Sequence, residues 1–216
     1  MKTSLLVVCI ALPFYFISQE NTDNKPSVTF ELGTRSTLSL FEHDSKLGIG
    51  TGGQFRFSLN NRLNNEWFAD YIKTNLSGNG FRRTYHIGWS VMFHLNDMHK
   101  KNSPFLLAGH CFDYAMIQLY DENNSSQERK SMAVQIGFGN RFNLTDKLNI
   151  GLSAQYMFHI GNSLETFRYV DNGNETISFT PPKDHHATPV ASKGLSLEGH
   201  VLVTASLNYV FWVKKP

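Results

Sequence analysis

Hydrophobic and polar residues alternate along most of this chain, and the longest such run lies near its end. In 195–212, LSLEGHVLVTASLNYVFW, the residues Leu197, Gly199, Val201, Val203, Ala205, Leu207, Tyr209 and Phe211 share one parity. The other parity holds Glu198, His200, Thr204, Ser206 and Asn208, with Leu202 and Val210 among them. Period 2 predicts a strand, because successive side chains point to opposite faces. An ordinary strand ends after about five or six residues, whereas one that crosses a bilayer at a tilt needs about 9–11. This run meets the longer requirement.

Earlier runs repeat the pattern. Strands are expected at 27–40, 48–59, 66–76, 82–95, 105–120, 131–144 and 148–160, ahead of the one at 195–212. In 82–95, Tyr85, Ile87, Trp89, Val91, Phe93 and Leu95 oppose Arg82, Thr84, His86, Gly88, Ser90 and His94. In 27–40, Val28, Phe30, Leu32 and Leu38 oppose Thr29, Glu31, Gly33, Arg35 and Thr37. The stretch 105–120 is apolar on both parities, and a bulge is expected near Gly109, His110 and Cys111. Turn composition separates the runs, most plainly at 77–80 (SGNG) and 145–147 (TDK). Eight is an even number of strands, so both termini fall on one side. The two longest connectors, 121–130 and 162–194, fall on the other.

Charge decides which face is which. A strand face bathed in water would carry many lysines and glutamates. Here Lys46, Lys100, Lys101, Lys130 and Lys147 sit in connectors, and Lys73 is the exception within a strand. The polar parities hold mainly Gly, Ser, Thr, Gln and His with a few Arg and acids, which suits a crowded lumen. The apolar parities carry Phe57, Trp67, Trp89, Phe93, Phe158, Tyr209 and Phe211, which suits lipid and its interfaces. The expected fold is therefore all-β: an eight-stranded antiparallel up-and-down transmembrane β-barrel, rather than a soluble barrel with its apolar face inward.

The first twenty residues read differently. Lys2 precedes a nearly continuous apolar run, 5–17, and the small Ser18 suits cleavage, so 1–18 is expected to be a secretory signal peptide and 19–216 the barrel domain. Cys9 would leave with the signal. Cys111 is then the single cysteine of the mature chain, and no internal disulfide can form. A formal net charge of +2 with interspersed signs suggests no nucleic-acid partner.

The signal peptide, the alternating strands and the final NYVFW resemble the small outer-membrane β-barrel proteins of Gram-negative bacteria, the OmpA/OmpX-type or porin-family fold. EWFADYI, YHIGWSV, LLAGHCFDY and QYMFHIG are similar to porin-family barrels of Bacteroidota. The resemblance covers the mature chain. It implies an outer-membrane location, contact with lipid and lipopolysaccharide, and passage through the barrel-assembly machinery. A structural or loop-mediated binding role follows from it, without enzymatic activity or cofactor and with the extracellular ligand unspecified. A narrow pore, or a route for small hydrophobic solutes, is the alternative.

Four sets of residues are candidates for chemistry. His159-Ile160-Gly161-Asn162 is similar to the His-x-Ser-Asn motif of the lipid A 3-O-deacylases, where the histidine is the base, the serine the nucleophile and a later glutamate orients the histidine. Gly161 stands at the nucleophile position, Ser163 is displaced by two, and Glu165 and Glu175 are loosely placed, so no catalytic residue is expected. His159 and His200 fall on adjacent strands with Glu198 near, His86 on the far side and His185-His186 in a loop. Zinc needs three or four converging ligands. A hydrogen-bonded lumen network is the expectation for these histidines, with no metal. Asp113, beside Cys111, has no identifiable base partner, and Gly48, Gly50, Gly52 and Gly53 are expected to ease close packing.

Overall fold

The structure is a computed structural model that describes residues 28–41, 47–76, 78–120, 125–162, 167–171, 174–179, 188–189 and 195–214. The expected signal peptide lies outside the described residues.

The strands are β1 (Val28–Phe41), β2 (Leu47–Ser58), β3 (Leu63–Asn75), β4 (Gly80–His94), β5 (Asn102–Leu119), β6 (Ser126–Asn143), β7 (Leu148–Asn162), β8 (Phe167–Asp171), β9 (Asn174–Ser178), β10 (Thr188–Pro189) and β11 (Leu195–Lys214). Eight of them close into a barrel in the order β1-β11-β7-β6-β5-β4-β3-β2, and all neighbours are antiparallel. The closing seam runs from Val28 opposite Lys214 to Phe41 opposite His200. Closure leaves no edge strand, so the ladder hydrogen bonds are satisfied between strands, as a bilayer interior requires.

The alternation read from the sequence is the alternation of burial. Glu31, Arg35 and Thr37 on β1, and His200, Thr204, Ser206 and Asn208 on β11, are buried, while Leu32, Val203, Leu207 and Tyr209 between them are exposed. Outward residues such as Ile49 and Phe138 are 64% and 65% exposed, which no water-facing barrel would repeat on strand after strand. Phe30, Phe55, Phe57, Phe211 and Trp212 cluster on the outer surface near the termini, with Phe30 and Trp212 ring centroids 5.1 Å apart. Tyr71, Tyr85 and Tyr114 form a row on three adjacent strands towards the other end.

Two expectations are corrected here. No bulge interrupts β5, whose registers with β4 and β6 run unbroken through Gly109, His110 and Cys111. The parity was unreadable because the inward positions of this strand include Phe105, Leu107, Cys111, Ala115, Ile117 and Leu119, all buried and apolar. His110 points outward and accepts a hydrogen bond at 3.0 Å from the Trp89 indole. The register shift that does occur lies between Phe30 and Glu31, in the pairing of β1 with β11. Secondly, β6 begins at Ser126, so it absorbs the second half of the expected connector 121–130, including the buried Arg129. That connector is thus no longer than 95–101 at the termini end, and only 163–194 is long.

Both ends of the barrel are covered. At the termini end, Met98 is fully buried, and its amide donates to the Asn61 carbonyl at 2.8 Å. At the loop end, the 163–194 connector carries a three-stranded sheet, β10-β8-β9. Ile177 of β9 packs with Leu76, Ala115, Ile117 and Leu119 of the barrel, joined by Phe179. Between β3 and β4 the turn expected at SGNG is present, with Gly78 at φ 84°, in the left-handed region that glycine adopts without strain.

Candidate functional site

Every chemically capable side chain that the sequence singles out, and whose side chain is described, points into the lumen except His110. Near the termini, the Arg141 guanidinium donates to Glu31 at 2.6 Å, and the Asn149 amide donates to the other Glu31 oxygen at 3.3 Å. Further in, Arg35 meets Glu66 at 2.8 Å and Asp70 at 3.1 Å, and Arg56 meets Glu66 at 2.6 Å. Glycine makes room for this network. A Cβ on Gly52 would collide with the Asp70 carboxylate, and one on Gly48 or Gly50 with Thr74 or Ile72, in keeping with the close-packing role expected of them, whereas a Cβ on Gly53 would have room.

Because the first and last strands must meet when the barrel closes, the alternation alone places Arg35 within plausible reach of Glu198. The register overturns that: Arg35 lies opposite Ser206, while Glu198 lies opposite His159, beyond the end of β1. The Glu198 side chain lies outside the described residues. Strand tilt and shear separate positions that simple strand counting brings together.

A second polar group fills the loop half of the lumen. Asp113, expected to have no base partner, is its hub. Arg129 Nη2 and Ser131 Oγ each donate to Asp113 Oδ2 at 3.0 Å. His159 Nδ1 lies 3.3 Å from the same oxygen, and His86 Nε2 lies 3.2 Å from Oδ1. His159 Nε2 meets His200 Nδ1 at 2.9 Å. His86, expected on the far side, stacks on His200 with centroids 5.6 Å apart. Strands β4 and β11 are four steps apart around a ring of eight, so these two rings meet across the full width of the lumen. An eight-stranded barrel has an interior only about as wide as two such side chains.

Buried apolar side chains pack between the two polar groups, which still meet where Asp70 of β3 lies opposite His86 of β4. Phe68, Ile72, Cys111, Ala133, Met157 and Leu202 form one buried cluster. On four strands the spacing is the same: Cys111, Ala133, Met157 and Leu202 each lie two residues, or one inward position, from Asp113, Ser131, His159 and His200. Cys111 is thus a small core side chain.

Ser131, His159 and Asp113 are the residue types of a hydrolytic triad, but not its arrangement. A catalytic histidine holds the nucleophile on one ring nitrogen and the carboxylate on the other. Here Ser131 and Asp113 both face Nδ1, at 3.4 and 3.3 Å, and the serine donates its proton to the carboxylate. Nε2 is taken by His200. The side chains of Gly161-Asn162 and the residues Ser163 and Glu165 lie outside the described set.

Asp113, Arg129 and Ser131 were not read from the sequence as a site. The signal was there in part: Tyr114, Met116 and Gln118 point outward, so continuing their parity would have turned Asp113 inward.

The class that this fold defines is the eight-stranded antiparallel transmembrane β-barrel. Over 87% of its length the chain superposes on the whole of Neisserial surface protein A, with a TM-score of 0.53 and 11% sequence identity. It is also similar to a major outer membrane protein of Thermus thermophilus, covering 85% of this chain and 99% of that one, with a TM-score of 0.59 and 10% identity. No protein-family model matches the chain, and no curated protein matches it in sequence.

Proposed function

We propose that this protein resides in the bacterial outer membrane as a non-conducting, non-enzymatic barrel. It acts through its loop-end surface or as a structural component of that membrane. The observation that supports this most is a lumen filled by buried side chains: the apolar cluster of Phe68, Ile72, Cys111, Ala133, Met157 and Leu202 packed among two ion-paired groups. An ion would have to shed its water to enter that packed interior, at a large cost in free energy. Lipid and lipopolysaccharide bathe the outward aromatic face, the assembly machinery inserts the chain, and the loop sheet β8-β9-β10 is the surface on offer to an external ligand. Sequence phrases such as YHIGWSV support a place among the porin-family barrels of Bacteroidota.

Purified protein reconstituted into planar bilayers tests the reading. Little steady ion current is expected. A large, stable single-channel conductance from the intact protein overturns it in favour of the pore. Release of acyl chains from lipid A by the purified protein would overturn the non-enzymatic part.

A further inference from the structure

We propose that His86, His159 and His200 form a binding site for a divalent transition-metal ion, zinc above all, inside the loop half of the lumen. The three residues come from β4, β7 and β11 and are at most 1% exposed. One ring nitrogen from each lies within 4.8 Å of those of the other two. Imidazole nitrogen is the donor that zinc, copper and nickel share, and three histidines with a fourth open position is an established zinc ligand set.

Asp113 supplies the second feature of such a site. Its carboxylate faces His159 Nδ1 at 3.3 Å and His86 Nε2 at 3.2 Å. A carboxylate behind a ligating histidine fixes the tautomer, so the opposite nitrogen presents its lone pair. For His159 that opposite nitrogen is Nε2, which lies 2.9 Å from His200 Nδ1. For His86 it is Nδ1, and both of its buried ring nitrogens lack a hydrogen bond among the described residues, Nε2 lying only in charge contact with Asp113. An imidazole nitrogen left without a partner in a packed interior is costly unless something binds it. Arg129 and Ser131, donating to Asp113 at 3.0 Å, hold the carboxylate in place.

The pocket needs only a small adjustment. Two nitrogens on one tetrahedral zinc, each at about 2.0–2.1 Å, stand roughly 3.3 Å apart, so the His159–His200 contact must open by a few tenths of an ångström. The rings are near parallel, with His159 and His200 at 19°. A turn about χ2, a soft torsion, converts facing rings into converging edges. Below the site lies the apolar cluster through Cys111 and Leu202, and above it lie Ala115, Ile117 and Ile177.

The test uses tag-free, full-length mature protein, folded in detergent and stripped with a chelator. After equilibration with Zn²⁺ at micromolar free concentration, one bound ion per chain is expected. Co²⁺ should give the intense visible bands of tetrahedral coordination, and Cu²⁺ should show histidine nitrogen splittings in its electron paramagnetic resonance spectrum. His86→Gln and His200→Gln should each weaken Zn²⁺ binding more than about 100-fold, and Asp113→Asn, which keeps all three ligands, by about 10–100-fold. His110→Gln, on the outer surface, should bind like wild type. Heat-modifiable electrophoretic migration identifies which variants are folded, and the wild-type Co²⁺ and Cu²⁺ spectra need no variant. Wild-type protein that retains no stoichiometric metal overturns the proposal. So does metal that stays bound in folded His86→Gln but leaves when His185 and His186 are replaced by Gln.

Discussion

Arg35 of β1 reaches past β2 to hold Glu66 of β3 at 2.8 Å, and Arg56 of the intervening strand grips the other oxygen of the same carboxylate at 2.6 Å. All three side chains are buried. The barrel wall is held by its ladder hydrogen bonds, and the lumen adds contacts that also tie strands which are not neighbours.

Removing Glu66 should therefore cost more than removing any surface charge. Glu66→Ala leaves two guanidinium groups buried beside one remaining acid, Asp70, and should destabilise the folded barrel by about 3–5 kcal/mol. Denaturant unfolding in detergent measures it. Glu66→Gln, which keeps an acceptor but not the charge, should fall between Glu66→Ala and wild type. If Glu66→Ala proved no more costly than Lys147→Ala in the exposed β6–β7 turn, the network would carry no stability.

The two faces of β11 should respond differently to charge. Val203 is outward, paired across the ladders with Leu38 and Ala154. Val203→Arg should cost about 2–4 kcal/mol in a bilayer. Ser206 is inward, and its hydroxyl accepts from Asn208 at 3.3 Å. Asn208 keeps its bond to Asn149 at 2.9 Å when that hydroxyl is lost, so Ser206→Ala should cost about 0.5–1.5 kcal/mol. Equal costs at the two positions would mean that the facing is wrong.

The long connector should be exposed on the cell surface. Residues 172–173 join β8 to β9, and an epitope inserted there should be labelled by antibody on intact cells. Labelling seen only after lysis would place the loop end inside and the termini outside.

Ile177 should anchor that connector to the barrel mouth. It packs among Leu76, Ala115, Ile117 and Leu119. Ile177→Asp would bury a charge in this apolar group, so the loop sheet should undock. Limited proteolysis of the protein in vesicles should then cut within 163–194 at least several-fold faster than in wild type, while the barrel strands stay resistant. Unchanged cleavage would show that the sheet is held elsewhere.

Much of this fold was legible in the chain, because a membrane barrel imposes one rule on every strand. Outward side chains meet lipid and inward ones meet a narrow polar interior, so period 2 records both the strand and its facing. Val203 and Ser206 could be assigned to opposite faces without coordinates, and the eight strands follow from the same rule. The rule failed where the lumen itself turns apolar. In β5 both parities are hydrophobic, and only the observed registers show that Cys111 and Asp113 face inward while His110 faces out. The site was legible only as a set of inward residues. Which of them touch depends on tilt and shear, which alternation does not encode. For that reason alternation points Arg35 to the wrong carboxylate and gives Asp113 no partners. His86 and His200 lie on strands at opposite sides of the ring, and no spacing along the chain brings them together. Closure of the barrel to a width of two side chains does.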